Sequence, residues 1–469
     1  MAMSQQKLER LESDSIGKKY VPADAYYGVQ TLRAHENFHI TGQSTHPTMI
    51  KSLALIKKAC ATANRRAGTL QPAKADAIIA ACDKVLAGQY LDQFILDPIQ
   101  GGAGTSLNMN ANEVIANIAI ELLGGEKGDY TLVHPNDDVN RGQSTNDVIP
   151  TAGKLTALFL LQDLYRSLQA LKEAFARKGV EFDSVLKMGR TQLQDAVPIR
   201  LGQEFKAYAT ALERGLRRIR SAAEEMTSIN MGGTAIGTGV NASASYSRHI
   251  AEDLSRLTGF SFTQAADLID ATQNIDSFAA VSGSLKDCAI ALSKISNDLR
   301  LMSSGPRTGL EEINLPARQN GSSIMPGKVN PVIPEVVSQV AFRIVGNDTC
   351  IAMAVEAGQL ELNAFEPVVF YSLFQSIDTL REAADTLRIN CVEGITASRE
   401  HCQHLLKMSA GIVTALSPYI GYAKAAKLAK ESLARNIPVV ELARQRHYLS
   451  DKQLETVLDP YKMTTPVAR

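Results

Sequence analysis

Residues 321–331 of this 469-residue chain combine hydroxyl, ammonium and amide side chains with residues that interrupt regular structure. The interrupting residues are Gly321, Pro326, Gly327 and Pro331. They exclude a continuous helix or a central strand, so the segment is predicted to be a loop. The polar side chains that could converge on a small anion are those of Ser322, Ser323, Lys328 and Asn330. Composition alone equally allows a flexible surface linker, because Gly, Ser, Pro and Asn dominate ordinary loops.

Two other segments, residues 101–110 and 143–147, share this chemistry. Both are rich in neutral hydrogen-bond donors, poor in carboxylates and located at the edges of long helical patterns. Their candidate donors are Thr105, Ser144, Thr145 and Asn146. A loop that opens a helix also offers backbone N–H groups and the positive end of the helix dipole. The three segments together predict a site for a small anionic ligand.

Helical periodicity dominates the chain from about residue 150 onward. One apolar seam with spacings of three and four consists of Leu161, Leu164, Leu168, Leu171 and Phe175. Further amphipathic runs cover residues 203–228, 248–258, 332–356 and 367–388. Alternating β-branched runs are scarce, so the predicted fold is mostly α, with a central bundle of long helices. The predicted domains are an N-terminal helical domain (1–143), the bundle (144–397) and a small C-terminal helical domain (398–469).

Charge and composition limit the kinds of molecule that this chain is expected to bind. Lys and Arg total 49, as do Asp and Glu, so no basic field is present to hold nucleic acid or an acidic membrane. The N-terminus lacks the apolar stretch of a signal peptide, and no run approaches the roughly 18–20 apolar residues of a membrane span. Six scattered cysteines are typical of buried free thiols in a reducing compartment. A cytoplasmic protein is therefore expected.

The three polar segments match the three signature regions of the aspartase/fumarase superfamily, and residues 321–331 are highly specific to it. The resemblance extends from about Asp14 to about Pro460. It implies the long-helix bundle fold and, for the aspartase branch, the reversible elimination of ammonia from L-aspartate to give fumarate. This elimination removes the Cβ proton and creates a second negative charge, as an aci-carboxylate. Neutral donors that bind this charge more strongly than the ground state would accelerate the reaction.

The resemblance also implies individual roles. Ser322 matches the base that takes the Cβ proton, while Lys328 and Asn330 match the residues that bind the other carboxylate of the substrate. Asn146 matches the contact to the amino group, and Ser323 belongs to the donor set. A serine is a poor base unless its alkoxide is stabilised. Both the backbone N–H groups of its loop and the Lys328 cation are candidates for that stabilisation.

Residues 188–198 discriminate between branches of the superfamily. Fumarases usually carry histidine at the position of Gln192, whereas some aspartases have glutamine there. Gln192 cannot titrate, so together with Thr191 it is expected to orient the substrate rather than transfer a proton. Two departures from the aspartase pattern are Gly142, often cysteine, and Gly327, often alanine. A class II fumarase and a catalytically silent scaffold of the same fold remain the alternatives.

Assembly and cofactors are likewise expectations from the resemblance. Family members form D2 homotetramers in which three subunits build each site, and the same is expected here. No cofactor is expected; Mg²⁺ activates some members, but the sequence offers no ligand set for it. Asp137 and Asp138 are interpreted as a solvated turn, and the cluster His401–His404 as structural.

Two further sequence features, the segment Gly233–Gly239 and Glu335, are predicted to have supporting roles. The segment Gly233–Gly239 resembles a dinucleotide fingerprint, but a predicted helix rather than a strand precedes it, so that function is rejected. Its glycines are expected to allow close packing. Glu335, five residues beyond Asn330, is expected to make a supporting hydrogen bond near the site.

Overall fold

The protein is described here by a computed structural model that covers residues 9–465. Residues 1–8 and 466–469, the ends of the predicted N-terminal and C-terminal domains, lie outside the described residues. The helices are α1 (Val29–Asn37), α2 (Pro47–Arg66), α3 (Pro72–Leu86), α4 (Thr105–Leu122), α5 (Thr145–Glu181), α6 (Leu201–Glu224), α7 (Ala244–Thr258), α8 (Asp270–Gln273), α9 (Asp276–Met302), α10 (Val332–Glu356), α11 (Glu366–Asn390), α12 (Arg399–Met408), α13 (Ser417–Ile420), α14 (Tyr422–Arg435), α15 (Val439–Gln445) and α16 (Asp451–Val457). The strands are β1 (Glu9–Ser13), β2 (Lys18–Pro22), β3 (Leu186–Thr191), β4 (Gln194–Arg200), β5 (Ser228–Ile229), β6 (Thr263–Gln264), β7 (Ile313–Asn314) and β8 (Thr396–Ala397).

The prediction of a mostly α fold with long helices is confirmed, since 62% of the residues are helical. Helix α10 spans the predicted residues 332–356, and α11 extends the prediction for 367–388 by a residue or two at each end. The five apolar residues of the predicted seam in α5 are all fully buried. Their three-four spacing therefore identified the packed face of that helix correctly.

The chain divides into two compact units, each built from three stretches of sequence. Unit 1 comprises Met1–Leu164, Arg217–Asp287 and Arg343–Thr379. Unit 2 comprises Tyr165–Leu216, Cys288–Phe342 and Leu380–Arg469. Long helices contribute residues to both units, and the division into three domains at 143/144 and 397/398 stays a prediction.

Close helix packing within unit 1 depends on a small residue. A Cβ atom added to Gly153 of α5 would lie 2.3 Å from the ring of Phe370 in α11. A larger side chain would therefore push the two helices apart. Helix α2 packs against α3 and α7 through fully buried residues such as Leu53, Ile56 and Cys60.

Unit 2 contains an antiparallel hairpin, β3–β4, that the sequence analysis did not predict. Its register shifts between Met188 and Arg190, so the hairpin contains a bulge. Unit 2 also contains a buried aromatic cluster, in which the rings of Phe182, Phe205 and Tyr208 meet at centroid distances of 5.2 and 5.7 Å.

The glycine-rich segment after α6 differs in one respect from the prediction. Strand β5, only two residues long, precedes it and pairs in parallel with β6, so the expectation of no preceding strand was wrong. The next helix begins only at Ala244, which still differs from a dinucleotide fingerprint. The expected close packing is present, since a Cβ atom at Gly237 would lie 2.5 Å from the backbone of Ile269.

The cysteines are free thiols, and all except the half-buried Cys350 are buried. Burial raises the pKa of Cys60 to about 12 and that of Cys402 to about 11, which keeps both thiols protonated and unreactive. Among the helices of residues 9–465, none is both long enough and apolar enough to cross a lipid bilayer.

Candidate active site

The first donor-bearing segment forms the start of helix α4 in unit 1. Gly104, at the N-cap, has φ +78°, and a Cβ atom there would lie 2.8 Å from Ile149. Only glycine adopts this positive φ without strain and also leaves room for the Ile149 side chain. Thr105 is the first helical residue; it is exposed, and its Oγ1 donates to the backbone oxygen of Gly102 at 2.7 Å. Thr105 therefore lies at the positive end of α4, on the wall of a cavity of about 530 Å³.

The second segment caps helix α5 through a buried carboxylate. The N–H of Ser144 donates to Oδ1 of Asp147 at 2.9 Å, and Ser144 Oγ accepts the N–H of Asn146 at 3.2 Å. Oδ2 of Asp147 accepts the N–H groups of Gly232 and Thr234, each at 3.1 Å. Burial raises the pKa of Asp147 to about 6, although these N–H groups favour the carboxylate. Asp147 thus joins the start of α5 to the glycine-rich segment.

The side chain of Asn146 is held in one orientation. Its Nδ2 donates to the backbone oxygen of Ala235 at 2.7 Å, and its own backbone oxygen accepts Nδ2 of Asn230 at 2.9 Å. Nδ2 keeps a second N–H, and Oδ1 is the acceptor of this side chain. An amide oxygen can accept a hydrogen bond from an ammonium group.

Thr145 belongs to a network of amide side chains. Its Oγ1 accepts Nδ2 of Asn108 at 3.3 Å. Oδ1 of Asn140 accepts Nδ2 of Asn108 and of Asn112, each at 3.2 Å, and Nζ of Lys57 at 2.9 Å. The hydroxyl predicted to bind substrate is therefore backed by buried amides and one cation.

Lys57 is a buried residue of this network that the sequence analysis missed. Its side chain is inaccessible to solvent and also donates to Oε1 of Gln143 at 2.9 Å. Burial lowers the pKa of Lys57 to about 8. The paired lysines 57 and 58 resemble a surface sequence. However, Lys57 lies four residues after Leu53 and three before Cys60, on the apolar face of α2, and this spacing was the available signal.

Replacing Lys57 with methionine should change how stability depends on pH. The folded-state pKa of about 8 lies below the ordinary lysine value of 10.5. Between these values the unfolded chain binds more protons than the folded chain, so the free energy of unfolding rises with pH. We expect the stability of the wild type relative to Lys57→Met to increase from about pH 8 to about pH 10.5, as measured by urea unfolding. A constant difference would mean that Lys57 retains its ordinary pKa.

Thr191 and Gln192 lie at the tip of the β3–β4 hairpin in unit 2, and both are exposed. The two-residue turn consists of Gln192 and Leu193, with φ +53° and +61°. Such turns favour Asn-Gly, because both residues must adopt the left-handed conformation. Non-glycine residues held in this region are concentrated at functional sites. The substrate-orienting role of Gln192 stays a prediction.

The loop 321–331 is closed at its neck by its own hydrogen bonds. The N–H of Gly321 donates to the backbone oxygen of Lys328 at 2.8 Å, and Nδ2 of Asn330 donates to the oxygen of Gly321 at 2.7 Å. A Cβ atom at Gly321 would lie 2.6 Å from that Lys328 oxygen, so glycine is required there. Residues 321–330 consequently form a self-contained loop.

Within this loop, Ser322 Oγ accepts the N–H groups of Ile324 and Met325 at 3.3 and 3.1 Å. Two converging backbone donors are what an alkoxide at this oxygen would need. Ser323 and Lys328 are exposed to solvent. Since Nδ2 of Asn330 already donates one N–H to the neck, only its second N–H remains for a substrate carboxylate.

His134 and Glu335 lie outside the donor segments. Nδ1 of His134 accepts the N–H groups of Asn136 and Asp137, each at 3.2 Å. Glu335 lies 3.9 Å from Nη2 of Arg300, an ion pair rather than the expected hydrogen bond. Within residues 9–465, no group of three or more His, Cys, Asp or Glu side chains is arranged to hold a metal ion.

The sequence matches two known family profiles. One, described as lyase, matches residues 17–346, and the other, described as fumarase C C-terminus, matches residues 412–465. Aspartate ammonia-lyase from Bacillus subtilis (strain 168) is 50% identical over 461 residues, which cover 98% of this chain and 97% of the relative. The enzyme of the same name from Pseudomonas aeruginosa is 53% identical over 467 residues, covering 99% and 98%.

Solved structures with the same fold include a fumarate lyase:delta crystallin from Brucella melitensis bound to cobalt. It is 49% identical, with a TM-score of 0.95 over 98% of this chain and all of that one. The class II fumarase from Schistosoma mansoni is 36% identical, with the same TM-score and coverage. The sequence profiles, the full-length relatives and the common fold lead to one conclusion: this chain belongs to the aspartase/fumarase family of lyases.

Proposed function

We propose that this chain catalyses the reversible deamination of L-aspartate to fumarate and ammonia. The main support is its similarity, at 50% and 53% identity over nearly the whole chain, to enzymes named aspartate ammonia-lyase. The fumarase structure is less similar, at 36% identity. Gln192 also favours aspartate, because a neutral amide cannot replace the histidine usual in fumarases as an acid or base.

In the proposed mechanism, Ser322 removes the proton from Cβ of aspartate. The N–H groups of Ile324 and Met325 already point at its Oγ and would stabilise the alkoxide form. The electron pair left on Cβ delocalises into the adjacent carboxylate and makes it doubly anionic. Collapse of this intermediate forms the C=C bond and breaks the Cα–N bond, so that the ammonium group leaves as ammonia.

The donor residues are proposed to stabilise the charge on the intermediate. Ser144, Thr145 and Ser323 supply neutral hydroxyl donors, and the buried Lys57 places a positive charge behind Thr145. Thr105 is proposed to join them by turning its O–H from the Gly102 oxygen to the intermediate. Preorganised donors are effective because they need not reorient as charge develops. Lys328 and the remaining N–H of Asn330 are proposed to hold the other carboxylate, and Oδ1 of Asn146 the ammonium group.

A direct assay tests this function. Purified chain is mixed with L-aspartate, and fumarate formation is followed by its ultraviolet absorbance; L-malate is tested in parallel. Turnover of aspartate that greatly exceeds turnover of malate is expected. Preference for malate would assign the chain to the fumarases. Absence of turnover with both substrates, and with fumarate plus ammonia, would favour a catalytically silent scaffold.

We further propose that the chain acts as a homotetramer with sites shared between subunits. Helix α10 supports this, because Phe342, Val345, Thr349 and Met353 form an exposed stripe with spacings of three and four. Phe342 and Met353 are 68% and 69% exposed, which is unfavourable unless another helix covers them. Gly346 lies on the same face, and a Cβ atom there would meet nothing within 4 Å.

Disrupting this stripe should dissociate the tetramer and abolish activity together. We expect Phe342→Asp to convert the assembly to smaller species, because a carboxylate cannot be buried in an apolar helix interface without a large desolvation cost. Light scattering after size exclusion, combined with the aspartate assay, measures both properties. Leu433→Asp in α14 is the control, since Leu433 is 70% exposed but lies outside α10. An active Phe342→Asp monomer would disprove site sharing.

A further inference from the structure

Four charged side chains form a cluster in unit 2, in which Lys187 and Glu312 are buried and Arg190 and Glu204 are partly exposed. Glu312 is fully buried; its Oε1 lies 2.6 Å from Nη1 of Arg190 and its Oε2 lies 2.8 Å from Nζ of Lys187. Lys187, itself only 4% exposed, also pairs with Glu204 at 2.9 Å. Two positive and two negative groups balance the charge of the cluster. Each oxygen of Glu312 therefore has its own cation.

Arg190 and Glu312 each lie near a segment that is predicted to contact the substrate. Arg190 directly precedes Thr191 and the strained hairpin tip, while Glu312 lies ten residues before Ser322. The two residues are 122 positions apart, yet one hydrogen bond of 2.6 Å joins them. The ion pair thus connects the hairpin, directly beside its tip, to the chain at Glu312.

The backbone of Glu312 is fixed as firmly as its side chain. Its N–H donates to the oxygen of Met302 at 2.8 Å, and its oxygen accepts the N–H of Ser398 at 3.0 Å. The next residue begins strand β7, which pairs with β8. Glu312 is therefore a fixed point from which the chain leads out to the serine loop.

The hairpin tip, in contrast, needs external support. Gln192 and Leu193 both adopt left-handed backbone conformations that cost free energy for non-glycine residues. The guanidinium group of Arg190 lies directly beside this turn, and the buried carboxylate of Glu312 holds it. This contact restricts the orientations that the turn can adopt. A second acidic side chain, that of Asp195, lies 3.9 Å from Nε of Arg190, too far for a direct hydrogen bond.

We propose that Arg190 and Glu312 are positioning residues, which fix the Thr191–Gln192 tip relative to the anchored backbone at Glu312. This inference rests on the proposed function, because it assigns a catalytic consequence to the pair. A displacement of about 1 Å in a substrate-orienting group can lower turnover about 100-fold without unfolding the protein. Neither residue needs to touch the substrate.

The cluster provides its own matched control. Glu204 pairs with the same Lys187, so Glu204→Gln removes one negative charge from the same cluster as Glu312→Gln does. Glu204 belongs to α6, however, and contacts the hairpin through Lys187, whereas Glu312 holds Arg190, the residue next to the tip. Both substitutions should lower the melting temperature, but only Glu312→Gln should displace the hairpin tip.

The experiment measures kcat, KM and melting temperature for the wild type and five variants, using L-aspartate. We expect Arg190→Gln and Glu312→Gln each to lower kcat/KM about 100-fold. The double variant should be no worse than either single variant, because both remove the same ion pair. Arg190→Lys should recover part of the activity, and Glu204→Gln should stay within about threefold of the wild type.

The outcomes separate the possible failures. An inactive wild type would contradict the proposed function itself, before any variant is considered. If Glu204→Gln and Glu312→Gln lose activity in the same proportion to their decrease in melting temperature, the cluster has only a structural role, and the inference is overturned. If Glu312→Gln does not fold, the partly exposed Arg190 carries the test, and wild-type kcat/KM in Arg190→Gln would equally overturn it.

Discussion

Replacing Ser322 with alanine is expected to lower kcat about 100- to 10,000-fold, the usual contribution of a general base. The two backbone N–H groups that now point at Ser322 Oγ, from Ile324 and Met325, would then have no group to activate. Folding should persist, since Ser322 is only half-buried and its neighbours can bond to water. The measurement is initial-rate kinetics with aspartate, together with thermal unfolding.

Ser323→Ala is the matched comparison for this prediction. It makes the same chemical change one position along the same loop, but removes a donor rather than the base. We expect a smaller decrease in kcat for Ser323→Ala than for Ser322→Ala. Equal effects of the two substitutions, or an unchanged rate in Ser322→Ala, would remove Ser322 from the role of base.

Replacing Lys328 with alanine is expected to act mainly on KM, which should rise about 100-fold or more. Lys328 is exposed in the free chain, but in the proposed complex the substrate carboxylate would cover its ammonium group. Loss of one partner from such a buried pair costs about 2–5 kcal/mol. Binding of succinate and of propionate distinguishes this effect from a general disturbance. The wild type should bind the dicarboxylate much more tightly, whereas Lys328→Ala should bind the two with similar affinity.

Lys328→Arg keeps the charge and serves as the control for this prediction. It should retain much of the preference for the dicarboxylate, although a planar guanidinium cannot reproduce the geometry of an ammonium group. Should Lys328→Ala keep the wild-type preference for succinate, the second carboxylate must be bound by another residue.

Local patterns in the sequence were sufficient to predict the long helices. The buried seam of α5 follows from leucines spaced three and four residues apart, and α10 begins directly after the proline that closes the polar loop. The polar loop itself was predicted from its glycines and prolines. These features depend on residues close together in the chain, which is why a single sequence reveals them.

Features that depend on distant residues were not predicted. Arg190 and Glu312 are separated by 122 positions, so neither sequence neighbourhood indicates that they pair. The β3–β4 hairpin was missed because its turn, Gln192–Leu193, lacks the Asn-Gly or Gly residues that normally indicate one. Lys57 was overlooked because lysine is rarely buried, although its spacing in α2 placed it on the apolar face.

Because hydrogen bonds close the neck of the serine loop, residues 321–330 could move as one unit. Every hydrogen bond described for Ser322 Oγ and for the neck has both partners within residues 321–330. If the loop moved as a rigid body toward a bound substrate, Ser322 Oγ and the two backbone N–H groups that stabilise it would move together. The basicity of the serine would then be the same before and after the movement, and only its distance from the substrate carbon would change.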